Sequence, residues 1–180
     1  RLLVLGGSQG ALAINEVIPA MLAGFPKGIR PSVRHQTGER TLERAQAAYA
    51  NKGLDSQDDI TIAAFISDMA EAYSWADLVI CRSGASTVSE IAAVGLPSIL
   101  IPYPHHSDQQ QTHNANWLVQ AGAAFLLEQN GLTATSLKAL VLDLHENRCK
   151  LQQMSDISKS IAICDAGEII ARRCLELAHA

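Results

Sequence analysis

Three short stretches of this 180-residue chain carry residue types that can do chemistry. Gly6-Gly7-Ser8-Gln9-Gly10 follows the apolar run Leu2–Leu5 and fits G-x-S-x-G. That pattern is the elbow that exposes a hydrolase's nucleophilic serine between a strand and a helix. The same residues also make a glycine turn whose backbone N–H groups, with the serine hydroxyl, can hold a phosphate. Arg82-Ser83-Gly84-Ala85-Ser86-Thr87 follows a second apolar run, Leu78–Cys81, and repeats the logic. Small residues let the backbone approach an anion, and a helix start supplies unpaired N–H groups and about half a positive charge. Two such loops at one end of a sheet would clamp a pyrophosphate without a lysine cluster. The bland alternative is that these serines and glycines only cap helices.

Glu90 stands three residues after Thr87, on the same helical face. A carboxylate there can accept from both hydroxyls of a ribose, as in dinucleotide sites. Thr87-Val88-Ser89-Glu90 also fits a capping box, [ST]-x-x-[DE], and the spacing alone leaves both readings open. The third stretch, Ser107-Asp108-Gln109-Gln110-Gln111-Thr112-His113-Asn114, begins a helix with amides instead of charges. Amides donate and accept, which suits the hydroxyls of a sugar, though a glutamine run is also ordinary solvated surface. His105, His106 and His113 lie nearby, but their spacing matches no zinc signature. No D-x-D sequence is present to seat a sugar-nucleotide metal. No metal site or cofactor is therefore expected.

These loops need elements to position them. Apolar runs of strand length alternate with segments of helical period along the chain. Leu2–Leu5, Val33–Gln36, Ile60–Phe65, Leu78–Cys81, Ser98–Pro102 and Ala123–Leu127 read as strands. Ala11–Ala23, Leu42–Asn51, Asp68–Ala76, Thr87–Val94 and Gln109–Ala121 read as helices, and the chain is helical in period from Thr133 onward. Such alternation predicts βαβ units: an α/β fold with a Rossmann-like, doubly wound parallel sheet. Short, wholly apolar strands such as LLVL and LVIC are what a sheet covered on both faces requires. Ligands should then gather beyond the carboxyl ends of the strands, where all three stretches fall. In the tail, Ala166, Ile169, Ile170, Cys174 and Leu177 form one stripe, which predicts a helix packed on the sheet.

Composition narrows the classes. Apolar residues make up 48% and charged residues 18%, a globular balance without a linker, so residues 1–180 read as one domain. A net charge of −4 with no basic cluster argues against nucleic-acid binding. Cysteines 81, 149, 164 and 174 show no C-x-x-C spacing, which favours reduced thiols in a cytosol. No apolar stretch approaches the ~20 residues that a membrane span needs. A core-type strand starting at residue 2, behind Arg1, leads us to expect a piece of a longer polypeptide.

GGSQGA, FISDMAEAYSWADLVICRSGASTVSEIAAVGLPSILIPYP and DQQQTHNA together resemble one family. They are similar to the C-terminal half of the MurG family of bacterial N-acetylglucosaminyltransferases. These enzymes move N-acetylglucosamine from UDP-N-acetylglucosamine to lipid I, forming lipid II for the peptidoglycan cell wall. The resemblance implies one half of a GT-B enzyme: this domain takes the sugar nucleotide, and an N-terminal domain takes the lipid acceptor and supplies the base. It implies an inverting transfer without metal, at the cytoplasmic face of the inner membrane, with peripheral contact made by the whole enzyme. It assigns Ser8 and Gln9 to the donor near its diphosphate. Ile66 would read the uracil edge through its backbone, with Phe65 and Met69 near the base. Ala85, Ser86, Thr87, Val88, Ser89 and Glu90 would cradle the phosphates and end in the ribose carboxylate. Gln110, Gln111 and Asn114 would meet the N-acetylglucosamine.

Three alternatives stand beside it. One is a separate nucleotide-sugar subunit completed by a membrane partner, as in eukaryotic dolichol-linked N-acetylglucosaminyltransferases. Another is a non-enzymatic UDP-sugar sensor. The third is a serine hydrolase built on Ser8, with Asp77 or Asp108 and then His113 or His145 in the required order. A hydrolase elbow normally follows several earlier strands and an oxyanion loop, neither of which stands before Ser8, so the anion-donor reading of Ser8 is preferred.

Overall fold

The computed structural model describes residues 1–7, 11–54, 59–105 and 107–178. Strands β1 (Leu2–Leu5), β2 (Val33–Gln36), β3 (Ile60–Ala63), β4 (Leu78–Cys81), β5 (Ser98–Leu100) and β6 (Ala124–Leu126) form one sheet in the order β3-β2-β1-β4-β5-β6. Every neighbouring pair is parallel. Helices α1 (Leu12–Ala23), α2 (Leu42–Ala50), α3 (Met69–Trp75), α4 (Ala85–Val94) and α5 (Gln110–Ala121) make the crossovers. Helices α6 (Ala134–Glu146), α7 (Arg148–Ser160) and α8 (Ala166–Ala178) follow β6.

Alternation of side chains along each strand divides the core in two. Leu2, Val4, Ile80 and Ile99 face one way and pack with Ile14, Ile18 and Met21 of α1, Tyr49 of α2, and Leu137 and Val141 of α6. Leu3, Leu5, Val79, Cys81 and Leu100 face the other way and pack with Tyr73 of α3, Val88 and Ile91 of α4, and Leu118 of α5. β1, β4 and β5 are buried along their whole length, as strands covered on both faces must be. α7 joins the two layers, sending Leu151 and Met154 to the first and Ile157 to the second.

The tail departs from the expectation. α8 buries no residue: Ile170 is 63% exposed and Leu177 79%. The stripe is present, but it does not pack on the sheet.

Several element boundaries also shift by one or two residues, and two of these shifts bear on the site. β3 ends at Ala63, short of Phe65, because the Ile66 N–H turns to the side chain of Gln36 at 3.0 Å instead of continuing the strand. α4 starts at Ala85, two residues before Thr87, with Val88 N–H bonded to the Gly84 carbonyl.

Candidate functional site

The chain winds outward from β1 through β2 to β3, then returns to start β4 beside β1. Leu5 lies opposite Cys81, so the β1–α1 and β4–α4 loops leave the sheet side by side. This is the switch point where a parallel sheet opens a crevice. Gly6 is packed so closely there that a Cβ would stand 3.0 Å from both Asn15 Oδ1 and the Gln36 carbonyl. Gly7 follows at φ +70°, a conformation that suits glycine. Ser8 and Gln9 lie outside the described residues, as does Gly10.

The second loop ends in a helix start free of side-chain capping: Gly84 is the N-cap of α4. The N–H groups of Ala85, Ser86 and Thr87 precede the first helical bond, so they point outward as anion donors. Ala85, Ser86, Ser89 and Glu90 are exposed and Thr87 is half-buried. Val88 is 2% exposed, which leaves its side chain to the core and only its backbone to a ligand. With Gly84 as cap, Thr87 sits inside the helix, so the capping-box reading of Thr87 and Glu90 fails. Glu90 instead accepts a hydrogen bond from the Tyr73 hydroxyl at 2.8 Å.

Arg82 braces this loop. Its guanidinium donates to the carbonyls of Ile101 and Pro102 at 3.0 and 2.8 Å and to Gln129 Oε1 at 2.6 Å. It also lies 5.6 Å from the centre of the Tyr103 ring. All three acceptors are neutral, so they leave a positive charge beside the crevice. Burial lowers the Arg82 pKa, but an arginine remains charged at any working pH.

The amide segment is fastened to the same loop. Ser83 Oγ donates to the Gln111 carbonyl at 2.7 Å, and Asn114 Nδ2 donates to the Ser83 carbonyl at 3.1 Å. Gln111 Oε1 accepts from the Tyr103 N–H at 2.9 Å, which sets the amide so that its Nε2 is the end left to donate. Asn114 therefore ties α5 to the loop, and the Gln111 side chain is oriented by the Tyr103 N–H. Gln110 is exposed at the first turn of α5. Its N–H goes to Asp108 Oδ1 at 3.2 Å, while Gln109 takes a left-handed φ of 50° to start the helix.

On the other flank, Phe65 is 69% exposed and Ile66 is half-buried. Met69 begins α3, which Asp68 caps by accepting from the Glu71 N–H at 2.9 Å. The Ile66 N–H is already spent on Gln36 Oε1, so a base that used this N–H would have to displace the Gln36 side chain. Gln36 and Tyr73 are the two residues that sequence reasoning missed here. Their partners lie thirty and seventeen residues away along the chain, beyond any local pattern.

The hydrolase arrangement built on Asp77 loses its footing. Asp77 precedes β4, at the opposite end of the sheet from Gly6 and Gly7, and takes a bond from Arg1 Nη2 at 3.2 Å. It cannot orient a histidine beside Ser8. Asp108 is engaged at the start of α5, and His105 stands edge-on to Tyr103 at 5.2 Å. Among the described residues, no three His, Cys, Asp or Glu side chains gather in a way that could hold a metal ion. Nor is any described helix long and apolar enough to cross a membrane. A cavity of about 520 Å³ lined by Asp77, Gly95, Pro97 and Arg148 opens at the far end of the sheet, away from the loops discussed above.

Comparison with known proteins gives the family of the chain. Residues 1–168 match the family described as glycosyltransferase family 28 C-terminal domain. A relative from Marinobacter nauticus, named UDP-N-acetylglucosamine--N-acetylmuramyl-(pentapeptide) pyrophosphoryl-undecaprenol N-acetylglucosamine transferase, is 48% identical over 99% of this chain and 48% of its own length. A relative of the same name from Alkalilimnicola ehrlichii is 48% identical over 99% of this chain and 49% of its own. The chain thus spans about half the length of the curated relatives it matches. The crystal structure of Acinetobacter baumannii MurG superposes with a TM-score of 0.85 at 37% identity, covering 97% of this chain and 51% of that one.

Proposed function

We propose, from the premise that the chain belongs to the C-terminal domain of glycosyltransferase family 28, that residues 1–180 are the sugar-nucleotide half of an inverting N-acetylglucosaminyltransferase. The donor is UDP-N-acetylglucosamine, and the acceptor is the lipid-linked muramoyl pentapeptide named in the relatives. The acceptor site and the base that deprotonates its hydroxyl lie outside this chain. The whole enzyme works at the cytoplasmic face of the bacterial inner membrane and touches it peripherally.

The observation that supports the reading is a helix start without a side-chain cap, at the carboxyl end of β4, with a carboxylate in the same helix and with the Gln111 amide turned by the Tyr103 N–H so that its Nε2 is left to donate. The α4 N–H groups and the Ser86 and Thr87 hydroxyls take the diphosphate, together with Ser8 and Gln9. They stabilise the charge that develops on UDP as it leaves. Glu90 takes the ribose, Ile66 the uracil with Phe65 and Met69, and Gln110 and Gln111 the sugar hydroxyls. No divalent metal is required, since N–H groups do the neutralising.

Calorimetric titration tests this reading. UDP and UDP-N-acetylglucosamine should bind well and ADP markedly less, with UDP affinity unchanged by EDTA. Equal affinity for ADP and UDP would remove the uracil-reading loop, and a collapse of UDP binding in EDTA would remove the metal-free cradle.

Glu90→Ala should weaken UDP about tenfold to a hundredfold, since a hydrogen bond to a charged group contributes ~1.5–3 kcal/mol. Thermal unfolding should remain cooperative, because Glu90 is exposed and caps nothing. Unchanged UDP affinity in a folded variant would take the ribose away from Glu90.

A further inference from the structure

We propose that Tyr73 is the positioning residue for the ribose-binding carboxylate, an inference that rests on the reading of Glu90 given above. Glu90 lies on the exposed face of α4, where a long flexible side chain would sample many rotamers. Tyr73 comes from a different element, α3, and its ring is 6% exposed, set in the core with Val88, Ile91 and Leu100. That ring cannot move without repacking the core. Its hydroxyl meets Glu90 Oε2 at 2.8 Å.

The bond has a direction. A carboxylate only accepts, so the phenol donates. Burial, and then the bond to Glu90, push the Tyr73 pKa above its ordinary value, so it keeps its proton at any working pH. One lone pair on Oε2 is thereby filled from behind by a fixed donor. Oε1 and the remaining lone pairs are left for the two hydroxyls of a ribose, which arrive as donors. The carboxylate is held before the ligand comes, which reduces the ordering cost of binding. A rival structural account has Glu90 serving Tyr73, existing only to satisfy a buried hydroxyl. The two accounts differ in what happens to ribose recognition.

Tyr73→Phe keeps the ring in the core and removes the donor. UDP affinity should fall about three- to tenfold. The readout that a purely structural role would not move is the ratio of UDP affinity to that of 2′,3′-dideoxy-UDP. This ratio should shrink in Tyr73→Phe by the same factor as the UDP affinity, because dideoxy-UDP has no hydroxyls for the carboxylate to meet. Equal losses for both nucleotides would overturn the proposal. Glu90→Asp offers a second route that leaves the core untouched: it draws the carboxylate back from the phenol while keeping the charge. It should lose most of the ribose discrimination, and full retention would overturn the anchoring role. Glu90→Ala separates the two layers of inference. If Glu90→Ala leaves UDP binding unchanged, the ribose reading itself fails. If Glu90→Ala weakens binding and Tyr73→Phe does not, only the positioning role fails.

Discussion

Lowering the pH from 7.5 to 5 should strip stability from this chain largely through one residue, His35. The residue is 1% exposed on β2, and burial pulls its pKa from the ordinary 6.5 down to about 3. Its hydrogen bonds dictate the neutral form. Asn15 Nδ2 faces the Thr37 carbonyl at 2.9 Å and Thr41 Oγ1 at 3.0 Å, and a carbonyl can only accept. Asn15 must therefore turn Oδ1 toward His35 Nε2, 3.0 Å away, so Nε2 carries the proton. Nδ1 is left as an acceptor for the Tyr49 hydroxyl at 2.9 Å.

A folded pKa below the unfolded one means that the unfolded chain binds more protons between those two values. The contribution of neutral His35 is complete above pH 6.5 and is lost as pH falls from 6.5 toward 3. The limiting slope is ~1.4 kcal/mol per pH unit, so reaching pH 5 removes about 2 kcal/mol and the full window on the order of 5 kcal/mol. Against a typical total of ~5–15 kcal/mol this is a large share. Urea unfolding at a series of pH values checks it. The wild-type midpoint should drop steeply below pH 6.5. His35→Gln should start lower, with the network broken, and show a shallower slope. Parallel slopes for the two proteins would assign the acid loss to other groups.

The same network shows why some of the site was legible in sequence and some was not. The parallel sheet was readable because β1, β4 and β5 must be apolar on both faces, and LLVL, LVIC and SIL say so directly. That the glycine and serine loops leave the carboxyl ends of a parallel sheet was readable from strand alternation, whereas the switch point between β1 and β4 depends on the strand order and was not. VRHQ reads as a weak strand because its polar residues are satisfied by partners far along the chain: His35 by Tyr49 and Asn15, and Gln36 by Ile66. Such satisfaction is a tertiary event and leaves no local period. Thr87 and Glu90 fit a capping box on spacing alone, yet the helix began earlier, since Gly84 and the N–H of Val88 close the first turn. The α8 stripe teaches a related lesson. Helical period reveals that Ile169, Ile170 and Leu177 share a face; it does not say what that face packs against.

Given a lipid-linked acceptor and UDP-N-acetylglucosamine, this chain alone should bind the donor and transfer no sugar. Under the proposed function the acceptor pocket and the base lie outside these residues, and the chain spans about half the length of its curated relatives. On the proposed function, these residues would contribute leaving-group chemistry, through the N–H groups at the α4 start with Arg82 fixed alongside. That would lower the barrier to departure of UDP, but the attacking hydroxyl would still have to be aligned and deprotonated. Orientation of the nucleophile is worth ~7–11 kcal/mol of barrier, and an unheld acceptor or bulk water forfeits most of it. At ~1.4 kcal/mol per decade, the deficit amounts to a rate loss of at least about five orders of magnitude, below detection in an ordinary transfer assay. Slow hydrolysis of the donor is the most that should be seen. Restoring the preceding half of a family member in the same polypeptide should bring transfer back, while UDP affinity changes little. Robust transfer by the 180 residues alone would place a base within them. The first candidates would then be His105, beside Tyr103, and Asp108, at the start of α5, because both stand on the loop that carries Gln110 and Gln111 toward the sugar. His106, outside the described residues, belongs to the same loop, and replacing each of the three by alanine would identify which one had taken the proton.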